Sequence, residues 1–133
     1  MKSLDIVKQY YAEFNDRNWN GMLALVSDNI LHEPNQGEPR EGKELFTAFL
    51  AKMDECYEQT LTKMSYYVNE DDADKIAVSF TVNGIYKKGE EGLPEAEEQA
   101  YILPATAFVD VKDGKIVRVA TNYNLELWIE LVS

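Results

Sequence analysis

The residues best suited to chemistry lie together in Leu31-His32-Glu33-Pro34-Asn35-Gln36-Gly37-Glu38-Pro39-Arg40-Glu41-Gly42. His32 is the only histidine, and an imidazole with an ordinary pKa of about 6.5 suits acid–base work near neutrality. Glu33 beside it is a general-base candidate, because desolvation in an apolar pocket raises a carboxyl pKa toward the useful range. Neighbours on a strand face opposite ways, so only one of the two enters a pocket unless a bulge intervenes. The competing role for Glu33 is a strand-end ion pair with Arg40 or Lys43; for His32 it is packing between sheet and helix. Asn35 and Gln36 can donate and accept hydrogen bonds at a pocket opening. Tyr10, on an apolar helical stripe, can offer its hydroxyl to a substrate oxygen.

Other chemistries find little footing. One His and one distant Cys make no close ligand cluster, so no metal is expected. Cys56 has no basic neighbour to activate it and reads as an inert buried thiol. No Ser-His-Asp set can be assembled, and Gly89 and Gly92 are separated by acids that would repel phosphate. The formal charge of −11 disfavours nucleic acid and anionic membranes. No apolar run approaches the roughly 18 residues of a membrane span. The quickly charged start Met1-Lys2-Ser3-Leu4-Asp5 does not read as a signal peptide, and one cysteine without a partner fits the cytoplasm.

The elements that must position these groups follow from periodicity. Ser3 is expected to cap a helix to about Asn18, with Leu4, Val7, Tyr11 and Phe14 as its stripe and Ile6 and Tyr10 widening it. A short helix takes Trp19 to Val26. Ile30 to Glu33 is a strand ended by Pro34, and a loop spans 34–42. A third helix runs from about Lys43 to Tyr57, buried through Leu45, Phe46, Phe49, Leu50 and Met53. The period then changes to two. Strands are expected at Leu61–Asn69, Lys75–Lys87, Gln99–Val111 and Ile116–Tyr123. Pro104 marks an edge or bulge, and Lys112-Asp113-Gly114-Lys115 a hairpin. A helix over Leu125–Val132 closes the chain. The charged loop from Lys88 to Glu98 is long enough to be a lid.

Helices first and antiparallel strands later mean an α+β fold. The expectation is a cone: a curved antiparallel sheet wrapped around a pocket, with three N-terminal helices and a short C-terminal one. Its mouth is a natural place for an apolar pocket with a few polar groups. The 133 residues suit one domain.

Several segments carry a resemblance to a known family. They are Gln9-Tyr10-Tyr11-Ala12-Glu13-Phe14-Asn15, His32-Glu33-Pro34-Asn35-Gln36-Gly37 with Gly42, Glu91-Gly92-Leu93-Pro94, Gln99-Ala100-Tyr101-Ile102-Leu103-Pro104-Ala105 and Thr121-Asn122-Tyr123-Asn124-Leu125-Glu126-Leu127-Trp128-Ile129. In these the chain resembles the ketosteroid isomerase-related, SnoaL-like branch of the nuclear transport factor 2-like superfamily, as a single domain over residues 1–133. Ketosteroid isomerase uses an Asp base and an oxyanion hole of a Tyr and a protonated Asp. The resemblance puts Glu33 at the base, Tyr10 at the oxyanion tyrosine and Thr106 at the protonated aspartate; a threonine hydroxyl is the weaker donor.

What the resemblance implies is a cofactor-independent isomerase, cyclase or lyase acting on an apolar carbonyl compound, with Glu33, Tyr10 and His32 catalytic. Asn35, Gln36, Thr106, Asn122, Tyr101 and Tyr123 would line the ligand pocket. The alternative is a non-catalytic small-ligand binder or dimeric scaffold on the same fold. Alternating Tyr, Val and Thr on the exposed sheet face suggest a homodimer through the sheet.

Overall fold

The computed structural model describes residues 2–35 and 37–133. The elements run α1 (Ser3–Asn15), α2 (Trp19–Ala24), β1 (Val26–Pro34), β2 (Arg40–Glu41), α3 (Lys43–Cys56), β3 (Tyr57–Val68), β4 (Lys75–Tyr86), β5 (Gln99–Lys112), β6 (Lys115–Tyr123) and α4 (Leu125–Val132). The strands form one sheet in the order β2-β1-β6-β5-β4-β3. The α+β class and the cone of helices on a curved sheet are as expected. No helix among the described residues is long and apolar enough to cross a membrane.

In α1 the residues Ile6, Val7, Tyr10 and Tyr11 are buried, a stripe repeating at the helical period. The helix stops before Asn18. Arg17 has a φ of +56°, which a continuing helix forbids, and the Asn18 side chain instead accepts from the backbone N–H of Gly21 at 3.1 Å to start α2. Ser3 is not the cap: it is already helical, and its hydroxyl donates to Asp74. The Asn15 side chain both donates to and accepts from the backbone of Leu61, tying α1 to β3. On α3, Phe46 and Leu50 are buried, but Leu45 is 50% exposed, because its turn overhangs the cavity rather than the sheet.

The sheet is mixed rather than wholly antiparallel. β1 runs parallel to β6, with His32 beside Val119 and Glu33 beside Ala120. The pairs β3–β4, β4–β5 and β5–β6 are sequential and antiparallel. β1 meets β6 only after the rest of the chain has intervened, so no hairpin dictates their direction. β1 is also longer than the apolar run alone implies, because Val26 already pairs with Ile116. The β5–β6 turn uses Asp113 and Gly114, both at positive φ (51° and 77°), as a tight hairpin turn of matching twist requires.

Curvature comes from irregular pairing, since an extra residue bends a strand. Register shifts fall between Val26 and Leu31, between Thr62 and Ser65, and between Asp110 and Val111. β5 pairs with β4 from Gln99 to Asp110, but with β6 only from Ala105 onward. Pro104 therefore sits where β5 is an edge on its β6 side, a position that tolerates a missing N–H. Helix α4 packs on β5 and brings Trp128 to 5.9 Å from the Tyr101 ring.

Gly84 lies opposite Tyr101 on the inner face, where any Cβ would collide with the Tyr101 ring. Gly84→Ala is expected to destabilise by about 1–3 kcal/mol through this overpacking. Urea unfolding of the two proteins measures the difference; unchanged stability would mean that the ring is free to move aside.

Candidate active site

Alternation along each strand divides the sheet into two faces. The inner face and the helices enclose a cavity of about 720 Å³. Its walls are mostly apolar, with Phe46 and Phe49 from α3, Phe80 and Val82 from β4, and Leu103 from β5.

His32 points inward and lines this cavity. It is 3% exposed and lies edge-on to Phe46 and Phe49, at 5.2 and 4.4 Å between ring centres. Its Nδ1 is sealed from solvent with no hydrogen-bond partner. Burial pulls its pKa down to about 4, helped by the positive charge of Arg40 and opposed by the negative charge of Glu33. The imidazole is thus neutral at physiological pH.

Glu33 is displaced from its expected place. As the next residue on β1 it points to the outer face, where its carboxylate accepts from the Arg118 guanidinium at 2.9 Å. The sheet itself stands between it and the cavity. The ion-pair role is realised, but with Arg118 of β6 rather than Arg40 or Lys43; parallel pairing puts β6 alongside β1. Thr106 and Asn122 face each other across β5 and β6 and share this outer hollow with Glu33 and Arg118. They too lie outside the main cavity, because both have the wrong phase on their strands.

The remaining expected residues converge on the cavity. Tyr10 and Tyr11 line it, edge to face at 5.0 Å, and burial raises both phenol pKa values. Both stay protonated and can only donate or accept hydrogen bonds. Tyr101 lines it and receives a hydrogen bond from Gln59 at 2.6 Å. Tyr123 and Asn35 also line it, and the Asn35 side chain accepts from the Tyr123 backbone N–H at 2.8 Å. That bond holds the loop after β1 against the end of β6. Gln36 lies outside the described residues.

Five polar residues that sequence reasoning passed over also line the cavity: Lys52, Tyr57, Gln59, Glu90 and Thr121. The Tyr57 hydroxyl donates to the Glu90 carboxylate, and Lys52 lies 3.4 Å from its other oxygen. Burial, then the Glu90 bond, raises the Tyr57 pKa. The loop carrying Glu90 has a sequence signal in its length and charge. Which of its acids turns inward has none.

The cavity can therefore hold an apolar molecule among neutral donors, with the cations Arg40 and Lys52 and one carboxylate, Glu90, also on its wall. Among the described residues no group of three or more His, Cys, Asp and Glu side chains is placed to hold a metal ion.

Comparison with known proteins agrees with this architecture. A family described as SnoaL-like domain matches residues 7–119. A proposed polyketide cyclase of Pseudomonas putida KT2440 is 43% identical, with a TM-score of 0.96 over 100% of this chain and 99% of that one. A second proposed polyketide cyclase, from Silicibacter sp. TM1040, is 45% identical, with a TM-score of 0.95 over 99% and 96%. TerC, co-crystallised with polyporic acid, shares the fold at 17% identity and a TM-score of 0.80, over 98% of this chain and 97% of that one. No curated protein matches the chain significantly.

His32 makes stability depend on pH. Its folded pKa of about 4 lies below the ordinary value of about 6.5, so the unfolded chain takes up the proton first as pH falls. Stability tied to His32 is whole above about pH 6.5 and drops toward pH 4, by about 3 kcal/mol. Urea unfolding across that range should fall more steeply for the wild type than for His32→Gln. Parallel curves would place a charged imidazole in the folded protein.

Proposed function

Because the chain belongs to the SnoaL-like domain family, we propose that it is a small-molecule enzyme of isomerase or cyclase type, working in the cytoplasm without a cofactor on an apolar carbonyl compound. The observation that carries this reading is that a neutral, buried imidazole and neutral tyrosines line one 720 Å³ apolar cavity. A volume in the range of about 300–1,000 Å³ is typical of ligand pockets. The 37–45% identical relatives described as proposed cyclases and the TerC co-crystal support a small-molecule role.

His32 acts here as a donor. A proton on the sealed Nδ1 would leave a buried N–H unpaired, at a cost of roughly 1–3 kcal/mol. A sealed lone pair is the lesser penalty. The proton therefore sits on Nε2, where it can be given in a hydrogen bond to a carbonyl oxygen. A neutral imidazole polarising a carbonyl is an established device. Tyr10, also neutral, can stabilise the same oxygen as it gains charge. Such donors act most strongly in a site that excludes water.

The test uses 2-tetralone, a two-ring ketone that fits the cavity, and follows exchange of its α-hydrogens in D₂O by NMR. The wild type should accelerate exchange. His32→Phe should slow the bound rate by about 10²–10³-fold while affinity changes only a few-fold. No acceleration by saturating wild type would overturn the enzyme reading and favour a binding protein.

The protein works as a homodimer through the outer sheet face. Phe108 and Tyr67, 50% and 58% exposed, share a row across β5, β4 and β3 through Ala77. Ile102, also on β5, is 66% exposed. Large apolar side chains gathered on one face mark an interface. The adjoining Glu33, Arg118, Asp110 and Lys75 carry both signs, so a two-fold can place unlike charges together. Sedimentation equilibrium should give twice the chain mass at micromolar concentration, and Phe108→Glu should give the monomer. A monomeric wild type would overturn the interface.

A further inference from the structure

The carboxylate that the reaction requires is absent from the place where Glu33 was expected, and the cavity supplies another. We infer that Glu90, carried on the loop between β4 and β5, is the proton acceptor of the active site, taking a proton from the carbon beside the substrate carbonyl. The assignment rests on the enzyme reading above and goes further by naming the base.

Glu90 is the only acidic residue on the cavity wall among the described residues. Its side chain is 24% exposed, whereas Glu91, Glu95, Glu97 and Glu98 on the same loop lie in solvent. Selection of one acid out of five for the interior is not what a solubilising loop needs. The loop is also anchored. Tyr86, fully buried, donates through its hydroxyl to the Pro94 carbonyl at 2.6 Å and accepts from the Glu90 backbone N–H at 3.3 Å. Its own backbone carbonyl accepts from Glu98 at 3.1 Å, and the Leu93 N–H bonds to the Glu90 carbonyl at 3.1 Å. One tyrosine thus holds the loop at Glu90 and at two points beyond it.

The carboxylate itself is oriented. The Tyr57 hydroxyl donates to one oxygen, and the Lys52 ammonium stands 3.4 Å from the other. The Tyr57 ring stacks on Tyr86 at 5.5 Å and meets Trp128 at 6.0 Å, so this orienting hydroxyl rides on a packed aromatic wall. Proton abstraction needs a carboxylate of fixed direction at the edge of an apolar chamber, and these contacts supply it.

The step balances within the site. The C–H bond of the substrate breaks and its proton passes to a Glu90 oxygen. The electron pair forms the enolate, whose oxygen accepts hydrogen bonds from His32 and Tyr10. Return of the proton to a different carbon isomerises the substrate. Attack of the enolate on a second carbonyl of the same molecule closes a ring, and the Glu90 proton then passes to the alkoxide. No oxidant, reductant or co-reactant enters. The ligand class is accordingly an apolar ketone with an acidic C–H.

The experiment is the 2-tetralone exchange assay with Glu90→Gln, Glu90→Asp and Glu33→Gln, each checked by thermal melting and by 2-tetralone affinity. Glu90→Gln keeps an acceptor for Tyr57 and should bind within about threefold of wild type while losing about 10²–10⁴-fold in exchange rate. Glu90→Asp should recover part of the rate. Unchanged exchange in Glu90→Gln, or loss that follows Glu33→Gln instead, overturns the assignment but leaves the enzyme reading standing. No exchange by the wild type overturns both.

Discussion

The alternation of side chains along a single curved sheet governs everything else in this molecule. Each strand sends one residue to the cavity and the next to the outer surface, so a backbone less than 5 Å from its neighbours separates two different environments. Inside are Tyr101, Leu103, Ala105 and Ala107 of β5; outside are Ile102, Pro104, Thr106 and Phe108. The inner set tapers from a tyrosine to alanines, and the irregular pairings at Val26–Leu31 and Thr62–Ser65 bend the sheet around it. A curved sheet covered by helices with small side chains at its centre cannot fill its own interior, and the cavity is what remains.

The same partition sorts the charges. Glu33 and Arg118 meet on the outer face, partly solvated, where an ion pair is cheap to hold but adds little stability. His32, one residue earlier, enters an aromatic setting that penalises its charged form. Adjacent residues thus place a neutral imidazole on the inner face and an ion pair on the outer one. The interior acquires a carboxylate only by way of a loop that approaches the rim, where Lys52 and Tyr57 offset the desolvation of Glu90.

The aromatic wall of Tyr57, Tyr86, Tyr101 and Trp128 connects fold and site. It joins the start of β3, the end of β4, the free part of β5 and the last helix in one set of ring contacts of 4.9–6.0 Å. Rings of this size provide much of the local burial, and their hydroxyls lie where the loop and the cavity need donors. Packing and positioning are therefore the same contacts, which is why α4, remote in sequence from the polar loop after β1, belongs to the site.

Much of this was determined by local pattern. The stripe of α1, the alternation of β4 and β5, the Asp113-Gly114 turn and the closing helix capped by Asn124 all depend on residues within a few positions of one another. Such signals survive in the chain because helix and strand periods act locally. The tertiary structure alone decided the rest. Whether His32 or Glu33 faces inward depends on the phase of β1 against a β6 that lies 85 residues away at the Glu33–Arg118 bond. The inward turn of Glu90 depends on Tyr57, 33 residues distant, and the placing of Thr106 and Asn122 on the outside follows from strand pairing. A shift of a single residue in register exchanges the two faces of a strand, and that register is set by long-range packing that no stretch of sequence contains.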